Sequence, residues 1–312
     1  MSKSLILHFN QPGLQTLVQD DGRYGWHHYG VPVSGPMDRF SAYLANWLVG
    51  NAIDSACLEI TYSGPIIEFS ESCQVAWCGA DISPTLDGLE LPGYRTIDVK
   101  AGSVLRFAKL EEGCRVYLAV GGTWQLPLIL NSRSAIPYTS DTATPSSVIR
   151  KGSQLEVKTG NPIQTRTLKK TFFQVGNKAR IVTGPEWSKF SPAEQTFFLC
   201  QSFQLSPHCN RLGYRLNPEI EGYESRGEML SSGIVPGTIQ ISNSGQPVVL
   251  MADAQTTGGY PRIANVIKAD LDGLGQLKPG DSLTFEPVNL DEARRAWLNK
   301  KEKLISLIGL PA

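Results

Sequence analysis

The residues with the clearest chemical potential lie in the stretch Met251–Arg262, MADAQTTGGYPR, which leaves the apolar run PVVL. Gln255, Thr256 and Thr257 offer hydrogen-bond donors and acceptors without net charge. Gly258 and Gly259 permit close approach of a ligand or a second backbone, and Tyr260 adds a phenol. The competing structural reading is a hairpin loop closed by Gly-Gly. A second cluster, SPHCNRLGYRLN (206–217), places Arg211 and Arg215 on either side of Gly213 and Tyr214. Arginine forks bind carboxylates or phosphates bidentately, although a turn with solvated arginines has the same composition. A third cluster, TLVQDDGRYGWHHYGVPVSGPMDR (16–39), holds Asp20, Asp21, Arg23, Ser34, Asp38 and Arg39. Its carboxylates suit base or positioning chemistry and its arginines suit anions. His27 and His28 are adjacent, so in extended chain they point to opposite faces, and no metal site is expected there. A surface loop, with Asp38 favoured by the dipole of a following helix, is the plain alternative.

These clusters need elements to hold them. Met37, Phe40, Leu44, Trp47 and Leu48 recur at helical spacing in 34–51, which predicts a helix starting at Ser34 or Pro36 and stopping at Gly50. A second helix is expected over 289–308, where Asn289 and Glu292 have capping-box spacing. A third, shorter helix is expected over 262–271. Most of the rest reads as strands: 74–82, 114–122, 179–185, 237–242 and 246–252 are rich in β-branched or aromatic residues between glycines and prolines. KAGSVLRF (100–107), RKGSQLEV (150–157) and KPGDSLTF (278–285) repeat one pattern, a glycine turn feeding an alternating strand. The polar stretch 158–170 reads as a linker. The fold class expected is mainly β, with barrels or sandwiches rather than a parallel sheet with crossover helices.

The 312 residues are 41% hydrophobic and carry 29 basic and 29 acidic side chains, which suits one large or two medium globular domains and gives no charge-driven attraction to nucleic acid or membrane. No apolar run reaches the length of a signal peptide's core or a membrane span, so a cytoplasmic location is expected. The six cysteines have no zinc-type spacing and are expected to be reduced. There is no P-loop, no nucleophile elbow and no Met-Lys-Met-type biotin segment. A reaction using ATP or biotin would therefore draw on another chain.

The three clusters, in this order, resemble a known family. TLVQDDGRYGWHHYGVPVSGPMDRFSAYLANWLVGN, CRVYLAVGG, NRLGYRL and SSGIVPGTIQISNSGQPVVLMADAQTTGGYPRIANVIKADLDGLGQLKPGD look like the C subunit of bacterial 5-oxoprolinase, a family also called KipA-like, allophanate hydrolase subunit 2 or biotin-dependent carboxyltransferase. The likeness covers about residues 12–290. It departs at Asn131, where glycine is usual before Ser132-Arg133-Ser134, and at Cys209 and Leu212, where serine and methionine are commoner. The resemblance implies tandem cyclophilin-like β-barrel units with a few peripheral helices. The domains expected are 1–165, with a helix at 36–49, and 166–312, with the C-terminal helix.

It also implies a reaction. Such chains work with two partner subunits, one KipI-like and one LamB/YcsF-like, to open 5-oxo-L-proline to L-glutamate with ATP hydrolysis, and the chain alone is expected to be inactive. Two alternatives stay open: a urea carboxylase-like carboxyltransferase component using biotin, or a KipA-type protein that antagonises a KipI-like kinase inhibitor. A lactam and a ureido ring both present a flat N–H beside a C=O, which Gln255 can pair with, while Thr256 and Thr257 support the developing oxyanion. Arg211 or Arg215 would hold a carboxylate, with Arg23, Arg39, Tyr214 and Tyr260 as further binding residues. Asp20 or Asp38 would act as base or position the lactam N–H. On this expectation the clusters converge on one pocket.

Overall fold

The computed structural model describes residues 3–108, 110–137, 147–169, 175–225 and 229–309. The chain is mainly β and divides into two compact units, Met1–Arg23 with Ser34–Gln174 and Tyr24–Val33 with Val175–Ala312. Among the described residues, no helix is long and apolar enough to cross a membrane.

The first unit contains two sheets. One has seven strands in the order Gly122–Trp124, Gln154–Thr159, Ser4–Gln11, Ile66–Phe69, Val104–Arg106, Thr85–Leu86 and Leu89–Glu90. The other has five, in the order Gln15–Gln19, Cys57–Thr61, Glu112–Val120, Cys73–Asp81 and Ile97–Val99. In Ser4–Gln11, Leu5, Leu7 and Phe9 alternate inward, as a sheet with one buried face requires. They join Leu58, Ile60, Val75, Trp77, Val116 and Leu118 of the second sheet in one core. Cys57–Thr61 is buried at every position, because the helix Arg39–Leu48 packs on that sheet as well.

That helix begins later than its periodicity predicts. Ser34 and Gly35 both have positive φ, so the chain turns there, and Asp38 is the residue that caps the helix. Gly50, with φ 77°, ends it as expected. The stretch read as a linker is instead docked on the first unit. Ile163 N–H donates to Gln74 Oε1 at 2.8 Å, Leu168 N–H donates to Tyr94 O at 2.8 Å, and the Arg166 guanidinium lies 4.6 Å from the Trp47 ring centroid. Its last residue, Lys170, lies outside the described residues.

In the second unit seven strands close into a barrel: Lys178–Thr183, Arg262–Val266, Thr238–Ile241, Pro247–Leu250, Gly213–Asn217, Phe203–Leu205 and Ser282–Pro287. A parallel pairing of the last with the first completes the ring. The helix expected over 262–271 is mostly strand. Arg262–Val266 finds ladder partners on both sides, and only Leu271–Leu274 is helical. Tertiary pairing outweighs a local pattern that Ile263 and Val266 left ambiguous. One helix was not anticipated, Pro192–Cys200. Its signal is in the sequence: Ser191 and Glu194 form a capping box and Pro192 stands at the first turn. Phe198 from this helix stacks on Phe285, with ring centroids 4.9 Å apart.

The repeated pattern proves to be one device built three times. In each copy a turn closes with an N–H···O bond of 3.0–3.1 Å, Ser103 to Lys100, Ser153 to Arg150 and Asp281 to Lys278. Gly102, Gly152 and Gly280 have φ of 80°, 81° and 90°, the left-handed value that the third position of a type II turn demands. Each glycine N–H donates to a strand residue of its own unit, Phe69, Phe9 or Leu205. The long helix Leu290–Ile308 carries the expected reciprocal cap, Asn289 Oδ1 accepting from Glu292 N at 2.9 Å and Glu292 Oε2 accepting from Asn289 N at 2.9 Å. Asn289→Ala is expected to lower stability by about 1 kcal/mol, read from the thermal unfolding midpoint.

Candidate functional site

The first-unit cluster is built around Asp20. Its Oδ1 accepts from the Ser132 hydroxyl at 2.5 Å, the Ser134 hydroxyl at 2.7 Å and Gly22 N–H at 3.0 Å, and its Oδ2 accepts from Arg133 N–H at 2.5 Å. Burial by itself raises this carboxyl's pKa, but the donors from Arg133, Ser132, Ser134 and Gly22 outweigh it and hold the group below the usual carboxylate range. With these four donors Asp20 holds the 20–23 and 132–134 segments together, and a carboxylate stabilised in this way is a weakened base. Asn131, at the entry to that loop, has φ 63°. Asparagine is among the residues that best tolerate this conformation, which accounts for the departure from glycine. Because the folded pKa of Asp20 is lowered, its contribution to stability is present above the unfolded value of about 3.9 and fades as pH falls below it. Unfolding midpoints across pH 2–6 are therefore expected to fall less steeply at the acid end in Asp20→Asn than in the native chain.

The neighbouring candidates are also committed to structure. Asp38 Oδ1 accepts from Ser41 N–H at 2.9 Å and Oδ2 from the Ser41 hydroxyl at 2.6 Å, while its own N–H donates to the Tyr117 hydroxyl at 2.8 Å. That hydroxyl in turn donates to the fully buried Glu59 at 2.8 Å. Arg23 is buried and its guanidinium donates to Ser134 O. The Ser34 hydroxyl and the Gln19 amide donate to the next carbonyl, Ala135 O, at 3.0 and 3.1 Å. Arg39 donates to Asp21 and pairs with its carboxylate, which also accepts from the Tyr43 hydroxyl. Asp38, Arg23 and Arg39 are thus each tied into hydrogen bonds within the first unit.

In the second unit the charges of the Met251–Arg262 stretch are likewise spent internally. Gly213 pairs with Leu250 in the barrel, and the ladder runs on through Met251 N–H to Leu212 O and Asp253 N–H to Arg211 O. There the side chains lock as a fork: Arg211 Nε to Asp253 Oδ2 at 2.6 Å and Nη2 to Oδ1 at 2.9 Å, both side chains 0% exposed. Arg211 therefore holds a carboxylate, but it is the chain's own. At the other end of the stretch Arg262 makes a second fork with Glu186, Nε to Oε2 and Nη2 to Oε1 both at 2.8 Å. The Arg262 bond is the main reason the Glu186 carboxyl sits below its usual range. Asp253 and Glu186 escaped the sequence reading, because an acid inside a polar loop gives no sign of which arginine it will meet.

Between these anchors the chain presents neutral groups. Gln255, Thr257 and Tyr260 are exposed, and their side chains have no hydrogen-bond partner among the described residues. Thr256 is buried, and its carbonyl accepts from Ile234 N–H. Thr257–Gly258 pairs with Ser232–Gly233. A Cβ on Gly258 would lie 2.6 Å from the Gln240 amide nitrogen, which donates to Tyr260 O, and one on Gly259 would lie 3.0 Å from Met229 O. These glycines make room for the chain's own amide and carbonyl. Tyr214, expected to bind substrate, is 1% exposed and points into the barrel, as the alternation of Gly213–Asn217 requires. Arg215, next along, points outward and lines a cavity of about 770 Å³.

A family model described as carboxyltransferase domain, subdomain A and B, matches residues 29–287. The chain belongs to this family. Among carboxyltransferase-domain proteins it is 35% identical to the C subunit of 5-oxoprolinase from Escherichia coli (strain K12) over 294 residues, covering 93% of this chain and 94% of that one. It is 32% identical to urea amidolyase of Saccharomyces cerevisiae (strain ATCC 204508 / S288c), covering 96% of this chain but 17% of that much longer one. The solved urea amidolyase of K. lactis superposes with a TM-score of 0.89 at 28% identity, over 97% of this chain and 20% of that one. The mainly β architecture is thus that of the carboxyltransferase region of those enzymes.

Proposed function

We propose that this carboxyltransferase-domain chain is a cytoplasmic subunit of an ATP-dependent 5-oxoprolinase, opening 5-oxo-L-proline to L-glutamate with KipI-like and LamB/YcsF-like partner subunits. The observation that carries the reading is the charge-free Gln255–Tyr260 segment, whose flanking charges are neutralised by the Arg211–Asp253 and Arg262–Glu186 forks. A lactam offers one N–H donor and one C=O acceptor on a flat edge. The Gln255 carboxamide is complementary to that edge, its C=O to the lactam N–H and its N–H to the lactam oxygen. The Thr257 and Tyr260 hydroxyls are further donors for charge developing on that oxygen. A charged group in the same position would be mismatched to a neutral ring. The 35% identity to the C subunit of 5-oxoprolinase, over 94% of that subunit, favours this substrate.

An amide is inert to water without activation. ATP supplies that activation by phosphorylating the carbonyl oxygen, and the phosphoryl-transfer machinery is assigned to the partner subunits. This chain's part is to bind and orient the ring. Purified alone with 5-oxo-L-proline and MgATP it is expected to release no glutamate, and to do so only when both partner subunits are added. Glutamate release by the isolated chain, or its absence from the complete mixture, defeats the proposal.

The likeness to urea amidolyase supports a second reading, in which the same neutral edge receives the ureido ring of carboxybiotin and passes carboxylate to a urea-like acceptor. It predicts that a biotinylated carrier, rather than 5-oxo-L-proline, is required for turnover of ATP.

A further inference from the structure

We infer that the outer wall of the barrel carries an oxyanion-binding site centred on Arg215, separate from the Gln255–Tyr260 segment and independent of the reaction proposed above. Arg215 projects outward from Gly213–Asn217 into the cavity of about 770 Å³, and its guanidinium has no partner among the described residues. Its twin Arg211 is fully sealed against Asp253, so the two arginines of one motif have opposite fates.

Two carboxamides beside Arg215 have their oxygens engaged. Asn217 lines the cavity and its Oδ1 accepts from Gln246 Nε2 at 3.0 Å, while its amide N–H groups make no hydrogen bond among the described residues. Asn210 Oδ1 accepts from Leu212 N–H at 2.8 Å and Gly213 N–H at 3.4 Å, which leaves the Asn210 amide N–H groups in the same state. His208 adds an imidazole, and no carboxylate lines the cavity. The wall is fixed: Ser206 N–H donates to Arg215 O at 2.9 Å, Asn210 N–H donates to Gly213 O at 3.2 Å, and the Cys209 thiol is 3.5 Å from Arg215 O. A cation flanked by amide N–H donors on a rigid loop is complementary to a phosphoryl or carboxylate group, which brings acceptors only.

The test uses the whole chain, titrated calorimetrically with inorganic phosphate in one arm and acetate in the other. At least one anion is expected to bind with Kd of about 1 mM or tighter. Arg215→Gln is expected to weaken it tenfold or more, and Asn217→Ala severalfold. Phosphate binding alone identifies a phosphoryl site, and acetate binding alone a carboxylate site. Bound anion is also expected to slow alkylation of Cys209 by iodoacetamide, followed peptide by peptide, while leaving exposed Cys200 unaffected. No binding by either anion, binding unchanged in folded Arg215→Gln, or binding that leaves Cys209 unprotected overturns the inference.

Discussion

On the proposed 5-oxoprolinase function, Gln255→Ala is expected to reduce glutamate formation by the three-subunit mixture about 100-fold, equivalent to about 2.7 kcal/mol of transition-state stabilisation. Gln255 is exposed and bonded to nothing else among the described residues, so its removal leaves no buried group stranded. Stability should stay within about 0.5 kcal/mol of the native chain, and incorporation into the complex should be unchanged. Gln255→Glu keeps the shape but replaces the N–H donor with a negative charge facing the lactam oxygen, and should be at least as damaging. The measurement is the rate of glutamate release at saturating ATP, with incorporation into the complex checked by gel filtration. A Gln255→Ala complex that turns over at the native rate would remove the segment from the chemistry. Thr257→Ala, losing one hydroxyl, is the milder companion.

Arg211→Ala is expected to destabilise the second unit by about 3–5 kcal/mol, because it takes a two-nitrogen fork away from a fully buried carboxylate. Lysine is not a substitute, since the Asp253 contact uses two nitrogens of a planar fork. Replacing both partners with apolar residues, Arg211→Met with Asp253→Leu, should recover most of the loss, since the cost lies in the unpaired charge rather than in the missing pair. Urea unfolding of the native chain, Arg211→Met, Asp253→Leu and the double variant measures the cycle. If either single variant stays within about 1 kcal/mol of the native chain, the fork is not the anchor described. The double variant also separates roles: a stable barrel that has lost activity would show that the ion pair positions the Gln255 segment.

The architecture was legible where one physical signal dominated. Short β-branched or aromatic runs between glycines and prolines marked the strands around Cys73–Asp81 and Pro247–Leu250, and Asn289 with Glu292 marked the start of the last helix. It was illegible where pairing decided. Arg262–Val266 has a pattern compatible with either period, and only the strands on each side make it β. The site was read less well, for a related reason. Residue type shows that Arg211, Asp20 and Asp38 can bind or abstract, but not whether a local partner already occupies them. Asp253, Ser132–Ser134 and Ser41 do so, and each reaches its partner across a sequence gap or a turn that composition does not reveal. What remained for function was the neutral part of the stretch, the Gln255 amide with Thr257 and Tyr260, together with outward-facing Arg215.

The ring of seven strands also bears on how partner chains attach. A closed ladder has spent its main-chain N–H and C=O groups on its own neighbours, so the barrel wall gives an incoming chain no strand to extend. Recruitment at this wall must then be written in side chains, and single surface substitutions should be able to abolish assembly there without touching the fold.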